Sequence, residues 1–308
     1  MSNSIPWIEK YRPHIYQDII LDDINRKLFE NIIEKEHIPN LLFFGPPGNG
    51  KTTTIINLIE TFQKKRKEVN KSLIIHLNAS DERGIDIIRN QILQFANSQT
   101  LIIKGTKFVI LDEIDYMTKN AQQALKYLIQ ENSSKNIRFC LICNYICKID
   151  EGLQNELIKC KFNQLPKNEI NNLLFKISDK ENLHFHQKNI DLLYDFFKSD
   201  IRSIINFIQI NQNKLQLKII DKKNWMKLLS HFEEKNISQI HKYINYLNKE
   251  FLIDKKNIVK KFISFLIKEN IQKIPLSKFD IIEELFHNSD IPNDIYINYF
   301  IYQFLEFL

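Results

Sequence analysis

Residues 45–52 of the chain read Gly-Pro-Pro-Gly-Asn-Gly-Lys-Thr, which fits the phosphate-loop pattern G-x-x-x-x-G-K-[ST]. This loop follows the apolar run Leu41–Phe44 and precedes a stretch of helical character, Thr53–Phe62. In such a strand–loop–helix unit the glycines let backbone N–H groups approach phosphates closely. The positive N-terminal end of the helix adds to the attraction. The stretch therefore predicts an α/β fold that binds a nucleotide.

Two side chains of the loop have roles of their own. Lys51 is expected to bridge the terminal phosphates, and Thr52 to offer its hydroxyl oxygen to Mg²⁺. The residues that we predict to bind the nucleotide here are Gly45, Pro46, Pro47, Gly48, Asn49, Gly50, Lys51, Thr52 and Thr53.

An acidic motif forms the second half of this predicted site. The apolar run Lys107–Leu111 leads into Asp112-Glu113-Ile114-Asp115. By themselves, four residues with three acids are more typical of a solvated loop. Behind an apolar strand and downstream of a phosphate loop, they favour catalysis. Asp112 is expected to hold Mg²⁺, largely through water, and Glu113 to orient and deprotonate the attacking water.

The first half of the chain alternates strand-like and helix-like segments. Short apolar runs predict strands at Asn40–Phe44, Leu73–Leu77, Phe108–Leu111 and Phe139–Cys143. Apolar residues at helical spacing lie between them, at Ile85, Ile88, Ile92 and Phe95 and at Ala121, Leu125 and Leu128. This alternation predicts a parallel sheet that helices cover on both faces.

Beyond Pro166 the strand signal disappears, and helical stripes take its place. They include Ile201, Ile204, Ile205 and Ile208, and then Ile258, Phe262, Phe265 and Leu266. We predict an α/β domain at residues 1–165, a small helical domain at 166–228 and a terminal helical domain at 229–308.

The bulk composition is that of an ordinary globular protein. Hydrophobic residues make up 44% and charged residues 26%, and the formal net charge is +6. This mild excess permits a nucleic-acid partner without requiring one. No apolar run approaches the roughly 18 residues of a membrane span, and the N-terminus lacks a secretory pattern. An intracellular protein without a membrane partner is expected.

All four cysteines, Cys140, Cys143, Cys147 and Cys160, fall in one window. The opening C-x-x-C pair makes a zinc site an alternative to be weighed. However, residues 139–143 read as a buried strand, and residues three apart on a strand point to opposite faces. We therefore expect small buried hydrophobic residues, and no disulfides in a reducing compartment.

Four further segments carry a family resemblance. Residues 7–13, WIEKYRP, resemble the N-terminal box of clamp-loader subunits, and residues 78–86, NASDERGID, match a box characteristic of replication factor C and its archaeal relatives. Residues 139–145 resemble the sensor 1 strand, with Asn144 at the sensor position. Ser199–Arg202 resemble sensor 2, although Ser199 stands where glycine is usual. The chain is thus identified as similar to the small subunits of replication factor C, which are AAA+ sliding-clamp loaders.

The resemblance implies an architecture and further site residues. The three predicted domains would be an AAA+ P-loop ATPase domain, a helical lid and a helical collar for oligomerisation. Tyr11 and Arg12 would lie near the adenine of ATP, Asn144 would polarise the attacking water, and Arg202 would reach the γ-phosphate. The alternatives are a packing aromatic for Tyr11 and a surface arginine for Arg202.

The resemblance also implies partners. A hetero-pentamer of clamp-loader subunits would open a PCNA-type clamp, and Arg83, Arg89 and Lys126 fall where the family presents basic groups to primer–template DNA. DNA would be read through its phosphates rather than its bases. The segment Gln94–Leu101 would meet the clamp. The expected location is the nucleus, or a viral replication compartment if the source is a virus.

One position departs from the family. Small subunits carry Ser-Arg-Cys after sensor 1, and that arginine enters the neighbouring subunit's ATP site. An ungapped reading from Asn144 to Phe162 puts Asn155-Glu156-Leu157 there. Glu156 would thus occupy the finger position, and Lys159, one helical turn away, lacks the planar fork of arginine. We predict that this subunit does not activate its neighbour through the usual residue.

Two choices remain open. The basic run Lys64–Lys67 resembles a nuclear-localisation or polyphosphate-binding segment, but it also closes the phosphate-loop helix, where cations are favourable. For the whole chain, a structural subunit that binds ATP with little turnover and another AAA+ DNA motor are the alternatives to an ATPase subunit.

Overall fold

The computed structural model describes residues 5–80, 85–98, 105–132, 136–183, 185–212, 220–269, 271–287 and 291–306. The chain divides into two compact units. The first runs to residue 186 and takes in residues 197–212, and the second comprises residues 187–196 and the chain from residue 213 onward.

The first unit is built on a parallel sheet. Its strands are β1 (Leu41–Phe44), β2 (Ile74–Asn78), β3 (Lys107–Asp112), β4 (Ile137–Cys143) and β5 (Ile158–Lys161), in the order β2-β3-β4-β1-β5. Every pair in the sheet is parallel, which confirms the prediction from the sequence. The strand β5 was not predicted. It pairs with β1, whose Phe43 lies opposite Cys160.

Helices cover both faces of this sheet, as predicted. Those of the first unit are α1 (Trp7–Lys10), α2 (Asp23–Glu34), α3 (Lys51–Arg66), α4 (Ile85–Asn97), α5 (Lys119–Glu131), α6 (Glu151–Gln154), α7 (Lys167–Lys180) and α9 (Ile201–Ile210). Side-chain caps fix several starts. Asp22 accepts a hydrogen bond from the Asn25 N–H at the start of α2, and Thr118 accepts one from the Ala121 N–H at α5. The Lys64–Lys67 run is exposed and closes α3.

The strand β1 is buried on both faces, which fixes the position of the loop that follows it. Phe43 packs against Phe29 of α2 with ring centroids 5.2 Å apart, and against Phe162 at 5.0 Å. Leu42 faces the opposite core, together with Leu125 of α5. Burying each such side chain contributes about 1.5–3 kcal/mol. The phosphate loop is therefore anchored to a strand that packs into both cores of the unit.

The cysteines of β4 lie on opposite faces of the sheet. Cys140 belongs to the core that also holds Cys160, and Cys143 belongs to the other core. Burial raises the pKa of both Cys143 and Cys160 to about 12, so these thiols stay neutral. On opposite faces of the sheet the two side chains of the C-x-x-C pair cannot share one metal ion, and each packs as a small hydrophobic residue. The alternation of the strand predicted this separation.

The second unit is helical throughout its described part. Its helices are α8 (Gln187–Phe197), α10 (Lys222–Glu233), α11 (Ile237–Phe251), α12 (Lys255–Glu269), α13 (Phe279–His287) and α14 (Asn293–Leu305). Phe232 and Phe262 stack with centroids 5.6 Å apart, and Phe300 meets both edge-on. The predicted boundary at residue 228 falls within α10, and the three-domain division stays a prediction. Among the described residues, no helix has the length and apolar character needed to cross a membrane.

Candidate nucleotide site

Three glycines of the loop have backbone conformations that favour glycine. Gly45, Gly48 and Gly50 have φ values of 141°, 75° and 80°, which side-chain-bearing residues rarely adopt. A Cβ on Gly45 would also come within 2.2 Å of the carbonyl oxygen of Phe162. The helix α3 then begins at Lys51, so its unpaired N–H groups face the loop.

Lys51 is held within the loop by neutral acceptors. Its Nζ donates hydrogen bonds to the carbonyl oxygens of Gly45 (2.8 Å) and Pro46 (2.9 Å) and to Oδ1 of Asn144 (2.9 Å). The residue is only 7% exposed. Burial lowers its pKa, whereas the nearby Asp112 opposes that shift. Among the described residues, no carboxylate pairs with this ammonium at contact distance, and a phosphate group fits that need.

The two residues predicted to hold Mg²⁺ lie together. Thr52 donates its Oγ1–H to Oδ2 of Asp112 at 2.7 Å, and Oδ1 of Asp112 accepts the N–H of Glu113 at 2.9 Å. A hydroxyl and a carboxylate oxygen are hard ligands of the kind that Mg²⁺ prefers. Glu113 has φ 59°, a strained conformation that costs about 1–3 kcal/mol and is typical of functional sites.

The buried Asp115 was missed as a site residue. Its Oδ2 accepts the N–H groups of Asn144 and Tyr145, each at 3.3 Å. These bonds fix the turn after β4, from which Asn144 reaches Lys51. Asp115 is the last acid of the motif that contains Asp112 and Glu113, so its position was the available signal.

A cavity of about 230 Å³ lies beside these groups, and both polar and apolar side chains line it. Its polar lining includes Lys51, Thr52, Asp112, Glu113, Asn144 and Arg202. Its apolar part is lined by Ile8, Pro13, Ile19, Ile20, Leu165, Leu173, Ile201 and Ile205. A polyphosphate fits the first chemistry and a flat purine the second, so the residues fit ATP with Mg²⁺.

The N-terminal segment forms one wall of this cavity. Tyr11 lines it and donates its hydroxyl hydrogen to Glu181, which also accepts from Nζ of Lys10 at 2.5 Å. Burial first, and then the bond to Glu181, raise the pKa of Tyr11. Arg12 also lines the cavity, and its Nε donates to Oγ1 of Thr53 at 3.2 Å.

The structure brings the predicted sensor 2 segment to the loop. Arg202 lies in the first turn of α9, lines the cavity and is close enough to Lys51 to lower its pKa further. Ser199 donates its Oγ–H to Oδ1 of Asn49 at 3.1 Å. Asn49 in turn donates through Nδ2 to the carbonyl oxygen of Asn163 at 2.8 Å. Ser199 and Asn49 are both buried, so this bridge is shielded from water.

The predicted DNA and clamp residues are not brought together by the described structure. Arg83 and the side chain of Arg89 lie outside the described residues, although Arg89 itself is in α4. Lys126 is half-buried on α5, with its Nζ beside Gly152. In the clamp segment Gln94–Leu101, residues from 99 onward are likewise outside the described part.

Glu156, at the predicted finger position, is engaged within the unit. It lies between α6 and β5, and its Oε1 accepts a hydrogen bond from Nε2 of Gln130 at 2.7 Å. Lys159 is exposed on β5 at the edge of the sheet.

Comparisons with known proteins agree with this geometry. Residues 41–163 match the family described as ATPase family associated with various cellular activities (AAA). Replication factor C subunit 5 of Mus musculus is 39% identical over 208 residues, covering 68% of this chain and 60% of the relative. Replication factor C subunit 3 of Saccharomyces cerevisiae is 35% identical over 206 residues, covering 67% and 59%. The chain thus spans about 60% of the length of these relatives.

Solved structures are similar in fold. The Holliday junction branch migration motor RuvB of Thermotoga maritima aligns with a TM-score of 0.57 over 95% of this chain and 91% of that one. Its sequence identity is 15%, so the likeness concerns the fold alone.

Proposed function

We propose that this chain is an ATPase subunit of a sliding-clamp loader, because it matches the AAA ATPase family and is similar to replication factor C subunits over two thirds of its length. It would work in the nucleus, in a hetero-pentamer that opens a PCNA-type clamp and sets it on primed DNA. Its ATPase activity would require the assembled complex.

One observation carries the proposal: polar side chains far apart in the sequence line one cavity. Lys51 and Asn144 are hydrogen-bonded to each other, and so are Thr52 and Asp112. In the proposed reaction Lys51 and Arg202 bind the phosphates, Asn144 orients the attacking water and Glu113 accepts its proton. Mg²⁺, held by Thr52 and Asp112, would offset phosphate charge when bound.

The cis site has a full set of these side chains, but an arginine from another subunit would still be needed. Such arginines contribute roughly 10³–10⁵ in rate in well-studied hydrolases. With Glu156 at the corresponding position, this chain would use an arginine from one neighbouring subunit but would supply none to the ATP site of another. The same observation favours a second candidate, a structural subunit that binds ATP and hardly turns it over.

The test is co-expression with sister subunits, followed by ATPase assays with clamp and primed DNA. We expect DNA and clamp together to stimulate hydrolysis, and Lys51→Ala to abolish both ATP retention and this chain's share of turnover. Lys64→Ala is the matched control, since it removes an exposed lysine from the same helix. Stimulation unchanged by Lys51→Ala would favour the structural subunit, and failure to retain ATP with Mg²⁺ in the assembled wild type would refute the proposal.

A further inference from the structure

A second cavity, of about 290 Å³, lies between two helices of the second unit. Lys223, Asn224 and Lys227 line it from α10, and Tyr243 and Tyr246 line it from α11. The two lysines are one helical turn apart, and so are the two tyrosines. We call this feature the Lys–Tyr groove.

The tyrosines form a stack that ends at solvent. Tyr243 is buried and donates its hydroxyl hydrogen to Oδ1 of Asn224 at 3.1 Å. His231 packs edge-on against its ring at 5.4 Å, and Tyr246 stacks on it with centroids 5.7 Å apart and planes inclined by 26°. Tyr246 itself is 49% exposed. A preformed stack whose outermost ring is open to solvent can be continued by another flat ring.

The lysines of the groove carry charge that the described part of the chain leaves uncompensated. Lys223 and Lys227 have no carboxylate partner at ion-pair distance there, whereas the neighbouring Lys222 pairs with Glu269 at 2.6 Å. Nζ of Lys227 lies 5.2 Å from the centroid of the Tyr243 ring. Like charges one turn apart destabilise a helix by a few tenths of a kcal/mol. Helix stability therefore does not explain this pair.

Asp221, an acid that contacts Asn224 of the groove, is already engaged. Asp221 caps α10, accepting from the N–H and the Nδ2 of Asn224 at 3.0 and 2.8 Å. It adds a minor contribution to the raised pKa of Tyr243, after burial and Tyr246. The groove thus presents two cations and a stacked aromatic face to any ligand.

We propose that the Lys–Tyr groove binds single-stranded nucleic acid. A base would stack on Tyr246, and adjacent phosphates would pair with Lys223 and Lys227. Alternating cations and aromatic faces are the means by which proteins hold single strands without reading their sequence. An acidic peptide would pair with the lysines but would place no base on the exposed ring of Tyr246. The site is separate from the nucleotide site in the first unit, and its occupancy requires no ATP.

The test uses the full chain and an oligothymidine strand that carries 5-iododeoxyuridine. Ultraviolet irradiation and peptide mass spectrometry should map a cross-link to Tyr246, also in the Lys51→Ala variant. Tyr246→Ala should remove this cross-link and weaken binding about tenfold, because base stacking is worth roughly 1–3 kcal/mol and 1.4 kcal/mol is a factor of ten. Tyr246→Phe should retain both.

The lysines are tested through salt dependence. Lys223→Ala with Lys227→Ala should lower the slope of log affinity against log salt by about 1.4, since each phosphate contact on a single strand contributes about 0.7. Lys188→Ala with Lys268→Ala makes the same charge change on exposed residues of the second unit and should leave the cross-link intact.

Cross-links confined to other peptides would overturn the proposal, as would a Tyr246→Phe variant as weak as Tyr246→Ala although both fold. Polyglutamate binding at the groove, with no oligonucleotide cross-link there, would assign the groove to an acidic partner and also overturn it. ATPase assays on the assembled complex that contains Tyr246→Ala show whether the substitution affects the nucleotide site. No change in ATPase activity is expected.

Discussion

The phosphate loop follows β1, and the edge strand β5 pairs with β1 in the same sheet. The two regions differ in whether they carry the polar side chains that the proposed reaction needs. Beside β1, the key polar side chains Lys51, Thr52 and Asp112 have hydrogen-bond partners in place. At the β5 edge, Glu156 is bonded to Gln130 and offers no cation. In the proposed clamp loader, this chain would have a site that can react, and it would offer no arginine from Glu156's position to a neighbouring subunit. The predictions below examine both sides of this contrast.

The largest effect is expected from Glu113→Gln. General-base catalysis contributes about 10²–10⁴ in rate, so turnover at this site should fall by that factor. ATP binding should persist, because Glu113 lines the cavity without holding Lys51 or Thr52. Single-site turnover and nucleotide retention in the assembled complex would measure the two effects separately.

Glu131→Gln is the matched control, an exposed acid at the end of α5. Equal turnover in Glu113→Gln and Glu131→Gln would show that Glu113 is not the general base and that the nucleotide side of the contrast is wrong.

The other side of the contrast is examined by Glu156→Arg. An arginine here would supply a forked cation toward a neighbouring ATP site, and we expect at least a tenfold gain in that neighbour's turnover, well below the roughly 10³–10⁵ of an evolved finger. Lys159→Ala should have little effect. ATPase activity abolished by Lys159→Ala but unchanged by Glu156→Arg would instead assign the finger role to Lys159.

The contrast also bears on what the sequence could reveal. The phosphate loop and Asp112-Glu113 were predictable because strand, loop and helix follow one another in the chain, so local pattern carries the geometry. Strand β5 was missed because Ile158-Lys159-Cys160-Lys161 has little apolar character and forms a strand only by pairing with β1. The placement of Glu156 or Lys159 at a neighbouring subunit stays a prediction.

Long-range contacts were beyond the sequence for a related reason. Tyr11 was expected near an adenine, but its hydroxyl partner Glu181 lies 170 residues away, and no local periodicity connects the two. The Ser199–Asn49 bond likewise joins residues 150 apart. Such bonds depend on how the helices pack, and a single sequence that is not aligned with its relatives holds no record of that packing.

A smaller effect is expected at Asp115, which holds the turn that carries Asn144 of the nucleotide site. Asp115→Ala would remove the charged acceptor that the N–H groups of Asn144 and Tyr145 share, at a cost of about 1–3 kcal/mol in the free energy of unfolding. ATP affinity should fall as well, because Asn144 helps to hold Lys51. Chemical denaturation and nucleotide titration would measure both.

Asp115→Asn keeps an oxygen acceptor and should recover most of the stability. If both variants unfolded at the wild-type denaturant concentration, Asp115 would not be what holds the turn after β4.

The smallest effect is expected from the bridge between sensor 2 and the phosphate loop. Ser199→Ala removes the hydrogen bond to Asn49, which is worth about 1 kcal/mol, and should weaken ATP binding several-fold with little change in the rate of the bound complex. Ser199→Gly, the residue that the family usually carries, removes the same bond and should behave similarly. An altered rate of hydrolysis with unchanged ATP affinity would mean that Ser199 acts on Arg202 rather than on the loop. The sensor 2 segment would then contribute to catalysis at this site instead of to ATP binding.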